Sequence, residues 1–103
     1  PQTLAMLLTR LLDFGLSPAA ALAKPRFLLG KTFSDANDSL KLEADAGDAG
    51  DDVFDALAKR GHILREIEAQ SALAGQAGII RIDDDGVVDG AHDPRSDGMA
   101  IGV

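Results

Sequence analysis

The sequence GIIRIDDDGVVDGAHDPR at residues 78–95 carries the strongest structural signal in this chain. Two short runs rich in β-branched residues, 79–82 and 87–91, flank an acidic segment that ends in Asp85 and Gly86. An Asp-Gly pair between apolar segments is typical of a hairpin turn, because glycine adopts a positive φ at little steric cost. The stretch therefore predicts an antiparallel hairpin.

The chain is predicted to leave this hairpin at Asp93 and Pro94. The Asp93 carboxylate can accept a hydrogen bond from a nearby backbone N–H, and Pro94 disfavours helical geometry at the residue before it. We expect the upstream part of the chain to supply the hairpin with partner strands and a helical cover.

Length and composition indicate one segment, residues 1–103, with a single modest core. The net charge of −7 argues against nucleic acid as a partner, because phosphate contacts need clustered Lys and Arg. Without cysteine there is no disulfide framework or thiolate metal site, and either redox compartment is suitable. The apolar run near the start is too short to span a membrane. A chain that begins at Pro1 is interpreted as a piece of a longer polypeptide.

Two helices are predicted before Pro25. The first, residues 3–14, carries five leucines at the spacing of one helical stripe, namely Leu4, Leu7, Leu8, Leu11 and Leu12. Gly15 can close this helix, because glycine adopts a left-handed conformation cheaply. The Ser-Pro pair at 17–18 then provides an N-cap and a first-turn proline for a second helix, which must end before Pro25.

The next part of the chain is predicted to be extended. Arg26 and Phe27 begin an extended segment after Pro25. Residues 40–44 then alternate apolar side chains with Lys41 and Glu43, which is the period of a half-buried strand.

Beyond this strand, the acidic residues 45–52 predict a loop, since their charges repel one another. Residues 53–60 regain helical spacing, and Gly61 closes that helix. Residues 62–68 predict a further strand, which small residues connect to the hairpin. The predicted fold is α+β, with the element order ααβαβββ and a mixed sheet that has helices on one face.

No residue pattern predicts a catalytic site, a metal site or a cofactor. An N-terminal proline can act as a general base, but Pro1 leads into a helix, whereas enzymes of that kind begin with a strand. The three threonines have no adjacent base. His62 and His92 are too isolated to indicate metal ligation. The acidic run at 83–86 is followed by valines where a calcium loop needs oxygen ligands, so we interpret it as a solvated turn.

Four short motifs occur in a fixed order along the chain. LLDFGLSPAAALAKPRF at 11–27 contains two of them, ALAKRGH at 56–62 the third, and GVVDGAHDPRSDGMAIGV at 86–103 the last. They resemble the D-[YF]-G-[LM]-[SN] and P-R-F motifs, the A-x-G-H helix end and the terminal G-A-x-D-P-R sequence of γ-glutamyltransferases (γ-glutamyltranspeptidases). The resemblance extends over essentially the whole chain.

The resemblance implies the C-terminal part of the small subunit of an N-terminal-nucleophile hydrolase, with an αββα fold. In that family a threonine freed by self-cleavage is the nucleophile and its own amine is the base. That threonine, the Gly-Gly oxyanion loop and the Ser-Ser pair lie upstream of Pro1. The chain departs from the family pattern at Lys24 and Leu28 and in the acidic residues 45–52, which leaves the substrate open.

No catalytic, substrate-binding or metal-binding position of the family is therefore expected in this chain. A structural role is expected for nine residues, namely Gly15, Pro25, Arg26, Phe27, Gly61, Gly86, Asp93, Pro94 and Arg95.

We expect the whole enzyme to transfer or hydrolyse γ-glutamyl groups, such as that of glutathione, and we expect this chain alone to be inactive. Two alternatives stay open: an acylase on the same scaffold, acting for example on glutaryl-cephalosporin, and a free-standing interaction domain. The expected partner is the remainder of the parent enzyme, and the isolated chain is expected to form a homodimer. No nucleic acid or membrane partner is expected. The resemblance favours a periplasmic or secreted bacterial protein.

Overall fold

The predicted hairpin forms, and it belongs to the first of two units into which the chain divides. A computed structural model describes residues 1–32, 35–49 and 52–103. The first unit comprises Pro1–Lys24 and Gly75–Val103, and the second unit is Pro25–Ala74.

The described residues form three helices and five strands. The helices are α1 (Gln2–Leu12), α2 (Pro18–Ala23) and α3 (Asp52–Lys59). The strands are β1 (Phe27–Gly30), β2 (Ser39–Glu43), β3 (Leu64–Ile67), β4 (Gly78–Ile82) and β5 (Val88–His92). Two 3-10 turns span Ala44–Ala49 and Ala72–Ala74. None of these helices is long and apolar enough to cross a bilayer.

The two N-terminal helices follow their local signals. Helix α1 ends at Leu12, two residues before the predicted end, and the Leu16 N–H then donates to Arg10 O at 2.9 Å across Gly15. Helix α2 begins as predicted, because the Ser17 hydroxyl accepts the Ala20 N–H at 3.2 Å.

The hairpin turn is built by its first aspartate. Strands β4 and β5 pair antiparallel from Gly78 opposite His92 to Ile82 opposite Val88. Asp83 Oδ1 accepts the N–H of Asp85 at 3.0 Å and that of Val87 at 2.9 Å. Gly86 has a φ of +79°, the left-handed conformation that its sequence position predicts.

The core of the first unit lies where α1 and α2 meet the inner face of the hairpin. Leu7, Ala21 and Leu22 are buried there. Five partly buried residues pack around them, namely Leu11, Leu16, Ala77, Ile79 and Ala91. The predicted helical cover of the hairpin is thus confirmed.

The expected partner strands of the hairpin are wrong for the described part of the chain. There β4 and β5 form a sheet of their own, while β1, β2 and β3 form a second sheet in that order. Strand β2 pairs antiparallel with β1 and parallel with β3. The upstream strands satisfy each other's backbone groups in the second unit, so they do not extend the hairpin.

The α+β class is confirmed, but the predicted element order lacks one strand. The observed order is ααββαβββ, because the extended segment at Phe27 forms β1. It pairs with β2 across the intervening residues 31–38, and the pattern of residues 27–30 alone does not reveal this partner. The predicted acidic loop is also partly wrong, because Ala44–Ala49 form a 3-10 turn. Residues 50 and 51 lie outside the described part of the chain.

The prediction that β2 is half-buried is wrong. All five of its residues are buried, including Lys41 and Glu43, which the alternation places on a solvent-facing side. Strand β2 is the central strand of its sheet, and both of its faces are covered. Its charged side chains are therefore compensated inside the second unit.

Candidate functional site

A buried aspartate–arginine pair turns the chain after β5. The Asp93 N–H donates to Ala77 O at 3.0 Å, and Asp93 Oδ2 accepts the Ala77 N–H at 2.9 Å. Asp93 Oδ1 accepts the backbone N–H of Arg95 at 3.0 Å and its Nη1 at 3.2 Å. Both side chains are fully buried. One carboxylate thus fixes the residue before β4 and orients the guanidinium.

Arg95 and Arg10 together close the C-terminal end of α2. Arg95 donates to Leu22 O at 2.7 Å and to Lys24 O at 3.2 Å. Arg10 donates to Ala21 O at 3.0 Å and also to Lys24 O at 3.2 Å. The last carbonyls of a helix have no partner within it and carry partial negative charge, so guanidinium groups suit this position. The cluster joins α1, α2 and the segment that follows β5.

Strand β2 carries a buried lysine whose three N–H donors all have acceptors. Lys41 Nζ lies 2.7 Å from Gly30 O, 3.0 Å from Ser39 Oγ and 2.7 Å from Asp35 Oδ2. An ammonium group offers three donors and no acceptor, so this environment satisfies it completely. The contacts offset the cost of removing the charge from water.

Asp35 is the common acceptor in this cluster. Its Oδ2 accepts the N–H and the hydroxyl of Thr32, each at 2.7 Å, and its Oδ1 pairs with Arg65. The hydrogen bonds from Lys41 and Thr32 hold the pKa of Asp35 well below its ordinary value of 3.8. The carboxylate therefore stays ionised through the range in which aspartates usually titrate.

The Glu43 carboxylate accepts hydrogen bonds from two backbone N–H groups. Its Oε2 accepts the Arg26 N–H at 2.8 Å and its Oε1 accepts the Ser71 N–H at 2.9 Å. The Glu43 N–H in turn donates to Arg26 O at 3.1 Å. Arg26 and Glu43 are both buried, so this carboxylate ties the start of the second unit to its end.

The other residues expected to be structural lie at turns and element ends. Gly15, Gly61 and Gly86 have φ values of +65°, +92° and +79°. Pro25 is half-buried before β1, Phe27 begins β1 with an exposed side chain, and Pro94 is exposed between Asp93 and Arg95. The structure brings Asp93 together with Arg95, and Arg26 together with Glu43.

The sequence does not predict the roles of Asp35, Lys41 and Glu43. Alternation with leucine places Lys41 and Glu43 on a solvent-facing side of the strand. Their observed partners are at positions 26, 30, 35, 39 and 71. One signal is present: two opposite charges lie two residues apart, on the same side of an apolar strand. Two such charges are either solvated at the surface or, as in this chain, bound by partners in the protein interior.

The buried ionisable groups of these clusters bind one another, the backbone or the hydroxyl groups of Thr32 and Ser39. Over residues 1–32, 35–49 and 52–103, no three His, Asp or Glu side chains converge as a metal ion requires. The acidic turn uses Asp83 to accept backbone N–H groups. His92 Nε2 lies 2.9 Å from Ser96 Oγ at the exposed end of β5. The contacts of these groups described above are therefore hydrogen bonds and ion pairs within each unit.

The comparisons agree on a family. The family model described as gamma-glutamyltranspeptidase matches residues 1–103. This chain belongs to the gamma-glutamyltranspeptidase family, as its motifs indicate.

Two curated relatives are similar over nearly the whole chain. It is 35% identical over 103 residues to the glutathione hydrolase-like YwrD proenzyme of Bacillus subtilis. It is 38% identical over 102 residues to the oxamate amidohydrolase proenzyme of Klebsiella pneumoniae. The matches cover 100% and 99% of this chain but only 19% of each relative, so the chain spans about a fifth of their length.

Solved structures give the same fold. The chain matches a cephalosporin acylase from Bacillus halodurans with a TM-score of 0.77 and 31% identity, over 96% of this chain and 17% of that one. It matches a gamma-glutamyltranspeptidase from Pseudomonas nitroreducens, complexed with L-DON, with a TM-score of 0.73 and 25% identity, over 98% and 48%. The expected fold, a part of an N-terminal-nucleophile hydrolase, is confirmed.

Proposed function

We propose that this chain is the C-terminal part of the small subunit of a γ-glutamyltransferase-like enzyme. The whole enzyme would transfer or hydrolyse γ-glutamyl groups, such as that of glutathione, and this part would serve as scaffold. The observation that carries the proposal is the family match over all 103 residues of a chain that spans 19% of its relatives' length.

The structural role follows from where the charged groups lie. Arg95 and Arg10 bind helix carbonyls, Glu43 binds backbone amides, and Lys41 is neutralised by Asp35. A nucleophile needs an adjacent base, and an oxyanion needs donors that point at developing charge. The groups above are already bound, so we assign them to folding.

The test is a γ-glutamyl anilide assay on this chain and on the whole polypeptide that contains it. We expect aniline release from the whole polypeptide and only the buffer rate from the chain, because the nucleophile, its base and the oxyanion donors are supplied by the rest. Catalysis by the chain that survives rigorous purification would refute the scaffold role. An inactive whole polypeptide, correctly processed, would count against the γ-glutamyl substrate.

An acylase on the same scaffold is the second candidate. The match to a cephalosporin acylase supports it, as does the identity of 38% to an oxamate amidohydrolase proenzyme. Both names denote cleavage or transfer at an amide. Assaying the whole polypeptide with a γ-glutamyl anilide, a glutaryl amide and oxamate separates the candidates, because each predicts a different preferred substrate.

The proposed location is the periplasm or the cell exterior, which the family resemblance favours. Fractionation of cells that produce the whole polypeptide tests it. Recovery of the protein with a cytoplasmic marker would refute this location and leave the proposed chemistry standing.

A further inference from the structure

The sequence contains three Asp-Gly pairs, and the structure places them in three different settings. They lie at positions 85–86, 89–90 and 97–98. An aspartate followed by glycine isomerises more readily than other aspartates, because glycine has no Cβ to hinder attack by its nitrogen on the preceding carboxyl carbon. The reaction also needs a backbone that can bring these two atoms together. Local structure therefore decides which of the three pairs reacts.

The pair at 85–86 is held by the hairpin turn. The Gly86 N–H donates to Asp83 O at 2.9 Å, and Asp83 Oδ1 accepts the N–H groups of Asp85 and Val87 on either side. The nitrogen that would attack is thus already hydrogen-bonded, and both of its neighbours are fixed. Ring closure at this pair requires the turn to open first.

The pair at 89–90 is held by the sheet. Both residues belong to β5, where Asp89 lies opposite Arg81 and Gly90 opposite Ile80. The Asp89 carboxylate also pairs with Arg81 at 3.3 Å. A succinimide ring holds its aspartate at a strongly negative ψ, whereas a residue in an antiparallel strand has a ψ of about +135°. Ring closure at this pair therefore requires β5 to leave its pairing with β4.

The pair at 97–98 lies beyond the end of β5, outside the helices and strands of the described chain. Asp97 and Gly98 are both exposed. Among the residues that the structure describes, none forms a hydrogen bond with the Asp97 carboxylate or the Gly98 N–H. The attacking nitrogen and the carboxyl carbon can therefore approach each other without opening a strand or a turn.

The structure also favours glycine at position 98. A Cβ on Gly98 would lie 2.5 Å from His92 Nε2, so the imidazole occupies the space that a side chain at this position would need. The same nitrogen lies 2.9 Å from Ser96 Oγ. The His92 ring thus contacts the chain on both sides of Asp97. By excluding larger residues at position 98, it keeps the Asp-Gly pair that is most easily isomerised.

We propose that Asp97 is a modification site, at which this protein forms isoaspartate without the help of an enzyme. The Gly98 nitrogen attacks Asp97 Cγ, a C–N bond forms, and the carboxyl hydroxyl leaves with the amide hydrogen as one water. Water then adds to the main-chain carbonyl carbon of Asp97 and breaks its bond to the Gly98 nitrogen. The main chain now runs through Cγ and is longer by one methylene, which alters the contact between His92 and Gly98. This inference does not depend on the proposed function.

The test is incubation of the folded whole polypeptide near neutral pH, followed by digestion with trypsin. Cleavage after Arg81 and Arg95 separates the pairs, because 85–86 and 89–90 lie in the peptide 82–95, whereas 97–98 lie in the peptide that begins at Ser96. Isoaspartate delays or advances the elution of a peptide, gives its own fragments in electron-transfer mass spectrometry and resists a protease specific for aspartate. We expect isoaspartate to form at position 97 at least about tenfold faster than at 85 or 89.

The same polypeptide unfolded in guanidinium chloride is the internal control. The turn and the strand are absent there, so the rates at the three pairs should converge. Asp97→Glu keeps the charge but would have to close a six-membered ring, so it should abolish isomerisation in the peptide that begins at Ser96. Asp89→Glu is the matched variant in β5 and should leave isomerisation at position 97 unchanged.

Two results would overturn the inference. One is a similar rate at all three pairs in the folded polypeptide, which would mean that local structure does not select the site. The other is an Asp97 that stays unmodified in the folded polypeptide while it isomerises in the unfolded one, which would mean that the folded protein protects this pair. Both results come from the unsubstituted polypeptide, so the decision does not depend on how the variants fold.

Discussion

Two aspartate–arginine pairs in the first unit differ in burial. That difference determines how much each pair contributes to the stability of the unit. The Asp93–Arg95 pair is fully buried, whereas Asp89 and Arg81 form a pair in which each side chain is 46% exposed. Water screens the second pair and competes for its donors, while the first pair also holds the carbonyls of α2.

We predict that Arg95→Ala destabilises the first unit by about 3 kcal/mol, because it leaves a buried carboxylate uncompensated. Arg81→Ala should cost about 0.5 kcal/mol or less. Urea unfolding of both variants measures the difference. Arg95→Lys should fall between them, since it keeps the charge but loses the planar fork. Equal stability of the two alanine variants would show that the buried cluster is not a stabilising clamp.

The second residue-level prediction concerns pH. The pKa of Asp35 in the folded state lies below its ordinary value of 3.8. The ionised carboxylate therefore contributes fully to the free energy of unfolding above pH 3.8, and this contribution is lost as the pH falls through the folded pKa. Asp35→Asn removes the contribution at every pH. The stability gap between wild type and variant should therefore be largest near neutrality and shrink below about pH 4.

The measurement is urea unfolding followed at β2 amide signals, from about pH 7 to about pH 3. Asp38→Asn is a suitable control, because Asp38 is an exposed aspartate three residues away. A gap for Asp35→Asn that stays constant across this range would contradict the assigned role of the Lys41 and Thr32 hydrogen bonds.

At the scale of elements, the hairpin turn depends on one backbone conformation. A Cβ at Gly86 would meet nothing within 4 Å, so the cost of a substitution comes from its φ of +79° alone. We predict that Gly86→Val destabilises the hairpin by about 1 to 2 kcal/mol, and Gly86→Asn by less, since asparagine tolerates the left-handed region. Gly102→Val, where space is also open and φ is not positive, should be nearly neutral. Urea unfolding of the three variants compares these costs.

The elements that the sequence predicts are those whose signals are local. Two adjacent residues specify each of these features: Ser17 and Pro18 start α2, and an Asp-Gly pair forms the hairpin turn. Strand β1 depends on its pairing with β2, and the burial of β2 depends in turn on β3 and on Ser71. Lys41 alternates with leucines as a surface residue does, but Gly30, Ser39 and Asp35 provide acceptors for it inside the second unit. The alternation of apolar and polar residues gives no sign of these partners.

The buried clusters also contain both local and distant partners. The D-P-R segment indicates a pair of its own side chains, because Asp93 and Arg95 are two residues apart. The carbonyls that Arg95 binds, by contrast, lie on α2, and nothing near residue 95 indicates them. Arg10 likewise reads as a polar residue beside a leucine stripe, although it helps to close the same helix.

At the scale of the whole molecule, we predict that the isolated chain self-associates. Leu4, Leu8 and Leu12 of α1 are exposed, as are the outward residues Ile80, Ile82 and Val88. The net charge of −7 opposes association, but salt screens that repulsion and leaves apolar burial intact. Sedimentation at several concentrations should reveal a dimer whose population rises with ionic strength. A monomer under all these conditions would contradict the prediction. It would mean that the exposed apolar residues form patches too small to drive association.

The hydrogen bonds of Arg95 to the carbonyls of α2 also affect the order in which the chain folds during its synthesis. The guanidinium and the Leu22 carbonyl that it binds are 73 residues apart in sequence. When α2 leaves the ribosome, the group that completes it has not yet been made, whereas the second unit occupies one uninterrupted stretch, Pro25–Ala74. Contacts that span long loops form late. A chain that ends just before Arg95 and has left the ribosome would therefore contain every residue of the second unit but lack the guanidinium that closes α2 in the first.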